Sequence, residues 1–296
     1  MNISDAIAER IRGSVQRDVP LRDYTYMRVG GPADMLVVPE RVKDLRWLLS
    51  FARERGARYF VMGNGTNLIF DDEGYRGIVI KTNACFSELQ VRGESIFAGS
   101  GVDLMDLIRT AAEKGLSCLE QLAGIPGTVG GAIWMNAGAF EKEIQDCIDD
   151  VHYFDSEGNE KAGVVEFSYR ESPFKKGDVI VGAHFSFTRR ESNGILAEIE
   201  EIQRKRAARQ PLEFPSAGSV FKNPPDRFAG EIIDRLGMKG MKIGDAQVSE
   251  KHANFIVNRG EATCDDIRKL IDEVRSRVLR DEGIALELEV EFVKAK

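Results

Sequence analysis

VMGNGTNLIF, residues 61–70, is the stretch from which the fold is read: an apolar run breaks into Gly63-Asn64-Gly65-Thr66-Asn67, and a second apolar run resumes at Leu68. Glycines let successive backbone N–H groups converge on an anion, and Thr66 and Asn67 add side-chain donors. A plain tight turn uses the same residues, and the pattern alone leaves both readings open. It matches neither the dinucleotide fingerprint G-x-G-x-x-G nor the P-loop G-x-x-x-x-G-K-[ST].

Upstream of this turn, Val42, Leu45, Leu48, Leu49 and Ala52 recur at helical spacing and Gly56 follows, which predicts an amphipathic helix over 41–55 with a glycine cap. Arg58–Met62 and Gly77–Lys81 read as short strands, and 102–115 as a helix closed by Gly115. A second glycine-rich stretch, GIPGTVGGAIWMNAGAF at 124–140, leaves almost no side-chain bulk along its backbone. That suits close approach to a flat or phosphorylated cofactor, and equally the packing of chain on chain.

Further on, strands are expected near 148–155 and 179–188 and a charged helix over 195–209. PLEFPSAGSVFKNPP, 211–225, is too rich in proline, glycine and serine to be anything but a loop or turn. A helix over 263–282, capped near Gly283, precedes LELEVEF at 286–292, where Leu286, Leu288, Val290 and Phe292 alternate with Glu287, Glu289 and Glu291 as in a half-buried strand. The elements are of mixed type, and the fold class is α+β.

The composition, 43% hydrophobic and 30% charged over 296 residues, supplies several cores, and 41 basic against 48 acidic residues argue against nucleic acid as a partner. Cys85, Cys118, Cys147 and Cys264 are scattered without a C-x-x-C pair, so they read as reduced thiols, and no metal site is expected. Gln121 to Phe140 is uncharged, but its five glycines and Pro126 make it too irregular for a membrane helix. The first twenty residues have no apolar core of a signal peptide, and a cytoplasmic location is expected; the sequon at Asn64-Gly65-Thr66 is then uninformative.

Six stretches carry a resemblance. Tyr26-Met27-Arg28-Val29-Gly30-Gly31-Pro32-Ala33, Gly63-Asn64-Gly65-Thr66-Asn67-Leu68 and Gly124-Ile125-Pro126-Gly127-Thr128-Val129-Gly130-Gly131-Ala132 resemble, in order, the FAD-binding segments of the UDP-N-acetylenolpyruvoylglucosamine reductase family. Tyr169-Arg170-Glu171-Ser172, Ser216 to Pro224 and Leu286 to Val290 are similar to its substrate and catalytic motifs. No insertion stands between Phe187 and Ile195, as in the family's shorter subtype, which lacks an extra tyrosine loop.

The resemblance implies an FAD-binding fold of the vanillyl-alcohol oxidase/p-cresol methylhydroxylase type, made of two α+β subdomains, with a C-terminal α+β substrate-binding domain. The expected division is 1–56, completed by the terminal strand 285–296, then 57–191, then 192–284. The implied FAD contacts are Tyr26, Arg28, Gly30, Gly63, Asn64, Gly65, Thr66, Asn67, Gly124, Ile125, Pro126, Gly127, Thr128, Gly130, Gly131 and Ala132. His152, His184 and His252 all lie outside those segments, so the flavin is expected to be non-covalent. NADPH is the implied co-substrate.

The implied reaction reduces UDP-N-acetylglucosamine enolpyruvate to UDP-N-acetylmuramate for peptidoglycan synthesis. Hydride added to the methylene carbon drives charge onto the carboxylate, and that charge needs stabilising before the adjacent carbon is protonated. By resemblance Arg170 and Glu289 stabilise it and Ser219 donates the proton, with Ser216 the nearest rival. Tyr169, Lys222 and Asn223 would bind substrate; Lys251, His252, Arg206 and Arg209 are weaker candidates. Many relatives have arginine where this chain has Glu291. The protein is expected to act as a monomer without membrane partners. Another flavin-dependent oxidoreductase or oxidase of the same fold is the competing reading.

Overall fold

The computed structural model describes residues 3–296. Residues 1 and 2, where the domain expected over 1–56 begins, lie outside the described residues. The chain forms two compact units, one made of residues up to Arg17, Asp34–Asn64 and Gly77–Lys205, the other of Asp18–Ala33, Gly65–Arg76 and Arg206–Lys296.

In the first unit, a sheet with strand order Gly13–Pro20, Pro32–Pro39, Tyr75–Lys81, Tyr59–Met62 is covered by helix Val42–Glu54. The helix faces the sheet because Leu45, Leu48, Leu49 and Ala52 fall on one stripe and are buried. It stops where Gly56 turns left-handed at φ +60°: Gly56 N–H donates to Arg53 O and Ala57 N–H to Ala52 O, which satisfies the last carbonyls. The parallel pairing of Tyr59–Met62 with Ile78–Lys81 aims the first of these strands at Gly63.

A second, antiparallel sheet of the same unit has the order Glu160–Gly163, Ile148–Phe154, Val179–Ser186, Ser95–Gly99, Leu89–Arg92. One face is sealed by helix Leu104–Glu113 and by Val129–Trp134, a helix that the glycine-rich reading of 124–140 did not contain. Asp103 caps the longer helix by accepting from Met105 N at 2.9 Å. Cys118 and Cys147, expected as thiols, are joined in a disulfide. They are 29 residues apart with Cα atoms 6.1 Å apart, a proximity created by tertiary packing and invisible in their spacing. Cys85 and Cys264 are free.

The second unit contains an antiparallel sheet in the order Ser216–Ser219, Phe255–Asn258, Ala246–Val248, Lys242–Ile243, packed against helix Cys264–Glu282 through Ile267, Leu270, Ile271, Val274 and Val278. Thr263 and Asp266 cap that helix reciprocally, and Gly283 ends it at φ +67°. The segment 211–225, expected as loop throughout, thus supplies an edge strand. LELEVEF is not one continuous strand: Leu288 bridges Phe221 antiparallel, whereas Glu291–Val293 pairs parallel with Leu68–Phe70. One short segment serves two partners in succession, and the ladder breaks between them.

Candidate active site

In the first unit, the two glycine segments meet. A Cβ on Gly63 would lie 2.4 Å from Thr128 Oγ1, so only glycine allows the turn to rest on Thr128. Thr128 in turn caps Val129–Trp134 by accepting from Gly131 N at 3.2 Å. Gly130 is demanded by the chain as well, since a Cβ there would lie 2.6 Å from Ser100 Cβ, and its N–H donates to Ser100 O at 2.8 Å. Gly131 is different: it is exposed, and a Cβ would meet nothing closer than 3.5 Å. Pro126 is exposed, and Ile125 partly so. Close packing and an open face therefore coexist in one segment.

Whether FAD fits here is tested by the polar atoms around these turns. Asn64 accepts from Asn83 Nδ2 at 2.8 Å and approaches Asp103 at 3.5 Å, while Asn83 Oδ1 and Ser100 Oγ are buried without a protein partner. Buried polar atoms of native proteins are almost always satisfied, so two orphans beside two glycine turns mark a place for a polar ligand. The residues fit a flavin nucleotide in this respect.

The glycine-rich segment continues into the anchorage of Arg170. Asn136, fully buried at φ +42°, donates to Glu143 Oε2 at 2.7 Å and to Ser168 O at 2.9 Å. Arg170 donates to Glu143 Oε1 at 3.2 Å, Gly138 O at 2.6 Å and Asn136 O at 3.4 Å, and its guanidinium stands 5.0 Å from the Tyr169 ring centroid. The side chains of Arg170 and Glu143 are only 14% and 19% exposed, and Arg170 itself sits at φ +59°. A non-glycine residue in the left-handed region costs on the order of 1 kcal/mol, which the surrounding bonds offset. Ser172 Oγ donates to Trp134 O at 2.7 Å, so the 169–172 motif is stitched to the short helix.

In the second unit, Ser219 ends a strand that bulges at Gly218, φ +80°, with Ser219 opposite Phe255. The next residue, Val220, accepts from Glu289 N at 2.8 Å, and Lys222 N donates to Glu287 O at 2.9 Å. Glu289 is thus placed by backbone bonds one residue from Ser219. Asn67 clamps it from the other side, donating through Nδ2 to Glu289 O at 2.9 Å and accepting from Glu291 N at 2.9 Å. Ser216, the rival, pairs with Val257 at the far end of its strand.

Tyr26 N donates to Gly65 O at 3.1 Å, tying the first resembling stretch to the turn. Arg28 has φ +55° and Gly30 φ +132°, and a Cβ on Gly30 would lie 2.8 Å from Phe70 Cβ. Lys222 Nζ is 3.9 Å from Glu287 with a side chain 17% exposed. Asn223 Oδ1 accepts from Ala229 N at 3.1 Å, holding the start of helix Ala229–Arg235. Lys251 is spent on Ala207 O at 2.7 Å. Burial holds the His252 imidazole below its ordinary pKa and brings Arg206 down to about 10.

Asn136, Glu143, Asn83 and Ser100 were not singled out in the sequence. The one available signal was Asn136 itself, an amide inside an uncharged, glycine-rich run.

A protein from Moorella thermoacetica named UDP-N-acetylenolpyruvoylglucosamine reductase is 43% identical over 275 residues, 92% of this chain and 91% of that protein. The chain belongs to the UDP-N-acetylenolpyruvoylglucosamine reductase family. A Carboxydothermus hydrogenoformans reductase of the same name is 42% identical over 295 residues, 98% of each chain. Residues 33–161 match the model of the FAD binding domain, and 210–293 that of the UDP-N-acetylenolpyruvoylglucosamine reductase C-terminal domain. The crystal structure of the family's reductase from Thermus caldophilus superposes with a TM-score of 0.81 at 37% identity, over 95% of this chain and 99% of that one. A variant of Physcomitrella patens BBE-like 1, 14% identical, aligns with 64% of this chain and 45% of its own at a TM-score of 0.50 and shares the fold alone. The expected α+β FAD-binding fold is therefore borne out, and the chain is an FAD-dependent oxidoreductase of this family. Among the described residues no helix is long and apolar enough to cross a membrane.

Proposed function

We propose that this chain reduces UDP-N-acetylglucosamine enolpyruvate to UDP-N-acetylmuramate with NADPH, supplying a precursor of peptidoglycan from the cytoplasm as a monomer. When bound, non-covalently, FAD supplies the hydride relay from NADPH to the enolpyruvyl methylene carbon. Tyr26, Arg28, Gly30, Gly63, Asn64, Gly65, Thr66, Asn67, Thr128 and Gly131, with Asn83 and Ser100, would hold its polar parts. Gly124, Ile125, Pro126, Gly127, Gly130 and Ala132 shape the remaining wall.

Arg170 binds the substrate carboxylate and stabilises the charge that grows there, because a fixed guanidinium in a largely dry setting need not reorganise as that charge appears. Glu289 shares a proton with the same carboxylate; two bare carboxylates would repel. Ser219 delivers a proton to the adjacent carbon: its hydroxyl is a weak acid, but the carbanion is strongly basic and the group is held on a bulged strand. Tyr169, Lys222 and Asn223 receive the sugar nucleotide.

The observation that supports this reading is the backbone bond from Glu289 N to Val220 O, the residue that follows Ser219 in the chain. The test is anaerobic reduction of the yellow protein by NADPH followed by addition of UDP-N-acetylglucosamine enolpyruvate. Rapid return of the oxidised flavin spectrum is expected. Reoxidation by oxygen alone, with none by that substrate, would make the protein an oxidase of the same fold instead.

A further inference from the structure

The second sheet of the first unit carries a cluster that the reductase chemistry does not use. Asp150 and His152 lie two residues apart on strand Ile148–Phe154 and share a face, while the intervening Val151 is buried in the core. Register places His184 of strand Val179–Ser186 directly opposite Asp150, and Phe97 of the next strand opposite His184. Four side chains from three strands thus share one patch of the sheet face turned away from helix Leu104–Glu113.

The geometry within the patch converges on one point. Asp150 Oδ1 is 3.0 Å from His184 Nδ1 and 3.0 Å from His152 Nε2, and one donor atom from each of the three residues falls within 4.8 Å of the others. The rings are held rather than loose. Phe97 packs on His184 with centroids 5.0 Å apart and edge-on to His152 at 5.7 Å, and the two imidazoles are 5.2 Å apart. Gly182, opposite His152, makes this possible, since a Cβ there would lie 2.8 Å from Phe97 Cζ. The three ligand side chains are 32–40% exposed, so an ion has an entry path and room for water.

We propose that Asp150, His152 and His184 form a binding site for a divalent transition-metal ion of the zinc or nickel class, clipping two strands of the sheet together. Two imidazoles and one carboxylate are the donor set such ions prefer, whereas magnesium and calcium seek oxygen-only shells. Ligands at about 2.05 Å from a tetrahedral ion stand about 3.3 Å apart. The existing 3.0 Å separations therefore need to open only slightly, and the two imidazoles to close by a small rotation. Three protein ligands leave the rest of the shell to water. The three ligands are not among the residues assigned to the reductase reaction, and the site does not depend on that assignment.

The experiment is isothermal titration of the purified, flavin-loaded protein, stripped with chelator and dialysed, with zinc chloride at pH 7.5. One equivalent is expected to bind with micromolar affinity or better, magnesium chloride is expected to give no binding heat, and the melting temperature should rise with zinc concentration. His184→Ala and Asp150→Asn should each weaken zinc binding by about 100-fold, with flavin content and circular dichroism unchanged. His252→Ala, at the third histidine of the chain, should leave it as it is. Equal zinc affinity in the wild type and both site variants, or wild-type affinity no better than millimolar, would overturn the site; equal binding of magnesium would overturn the assignment to imidazole-seeking ions.

Discussion

Glu143 presents both carboxylate oxygens to donors, Oε1 to Arg170 at 3.2 Å and Oε2 to Asn136 and Gln145 at 2.7 Å each. It is an acceptor on every side, and a glutamine in its place would have to turn an NH2 onto one of these donors. Leaving a donor of a largely buried cluster unpaired costs about 1–3 kcal/mol. Glu143→Gln is therefore expected to disorder Arg170 and lower kcat by roughly 10- to 100-fold. Flavin content and the rate of flavin reduction by NADPH should stay near wild type. Stopped-flow measurement of the two half-reactions distinguishes this from a general loss of structure, which would depress both.

Ser219→Ala should separate the half-reactions more sharply. Loss of a general acid slows the step that needs its proton by about 10²- to 10⁴-fold, while the reductive half-reaction, which uses no proton from Ser219, continues. Ser216→Ala, three residues earlier on the same strand and opposite Val257 rather than Phe255, is expected to behave as wild type. Equal losses in the two variants would reassign the acid.

Gly63 and Gly131 make opposite predictions about the empty and loaded protein. Gly63→Ala puts a methyl 2.4 Å from Thr128 Oγ1, so it should push the turn off the short helix and weaken both FAD binding and apoprotein stability. Gly131→Ala meets only ordinary contact at 3.5 Å within a helix, where alanine is favoured over glycine by up to about 1 kcal/mol. The apoprotein should melt slightly higher, yet FAD titration by fluorescence should show an affinity at least tenfold lower. An unchanged affinity would remove Gly131 from the cofactor wall.

Thiol counting checks the cysteine arrangement. Burial pushes Cys85 and Cys264 up to about 12, leaving roughly one thiolate in ten thousand at pH 8. The folded protein should therefore react with Ellman's reagent very slowly. Unfolded without reductant, it should release two equivalents, and after reduction four, since Cys118 and Cys147 are paired.

The elements most legible in the sequence were those with a stop signal of their own. Helices Val42–Glu54, Leu104–Glu113 and Cys264–Glu282 each end at a glycine whose positive φ the chain requires, Gly56, Gly115 and Gly283, so pattern and cap agreed. Ser216–Ser219 and the break in 286–292 were not legible, because each depends on a partner far along the chain: Phe255–Asn258 for the first, Phe221 and Leu68–Phe70 for the second. The same limit applied to the site. Motif order pointed to Arg170, Ser219 and Glu289, but Glu143 and Asn136 hold Arg170 through a hairpin, Gly138–Ala139 with Lys142–Glu143, whose turn residues Phe140 and Glu141 both take positive φ without being glycine. Nothing in their residue types announces that turn.

Asn67 and Glu289 are separated by 222 positions, and Leu68–Phe70 finds its parallel neighbour only in Glu291–Val293. During synthesis, residues 65–76 therefore leave the ribosome long before the stretch that completes them exists. For most of translation this part of the chain waits with an unpaired strand, and a message ending before codon 285 would yield a polypeptide carrying every glycine turn but lacking the strand that pairs with Leu68–Phe70. Surveillance by chaperones and proteases, rather than catalysis, would decide the fate of such a product.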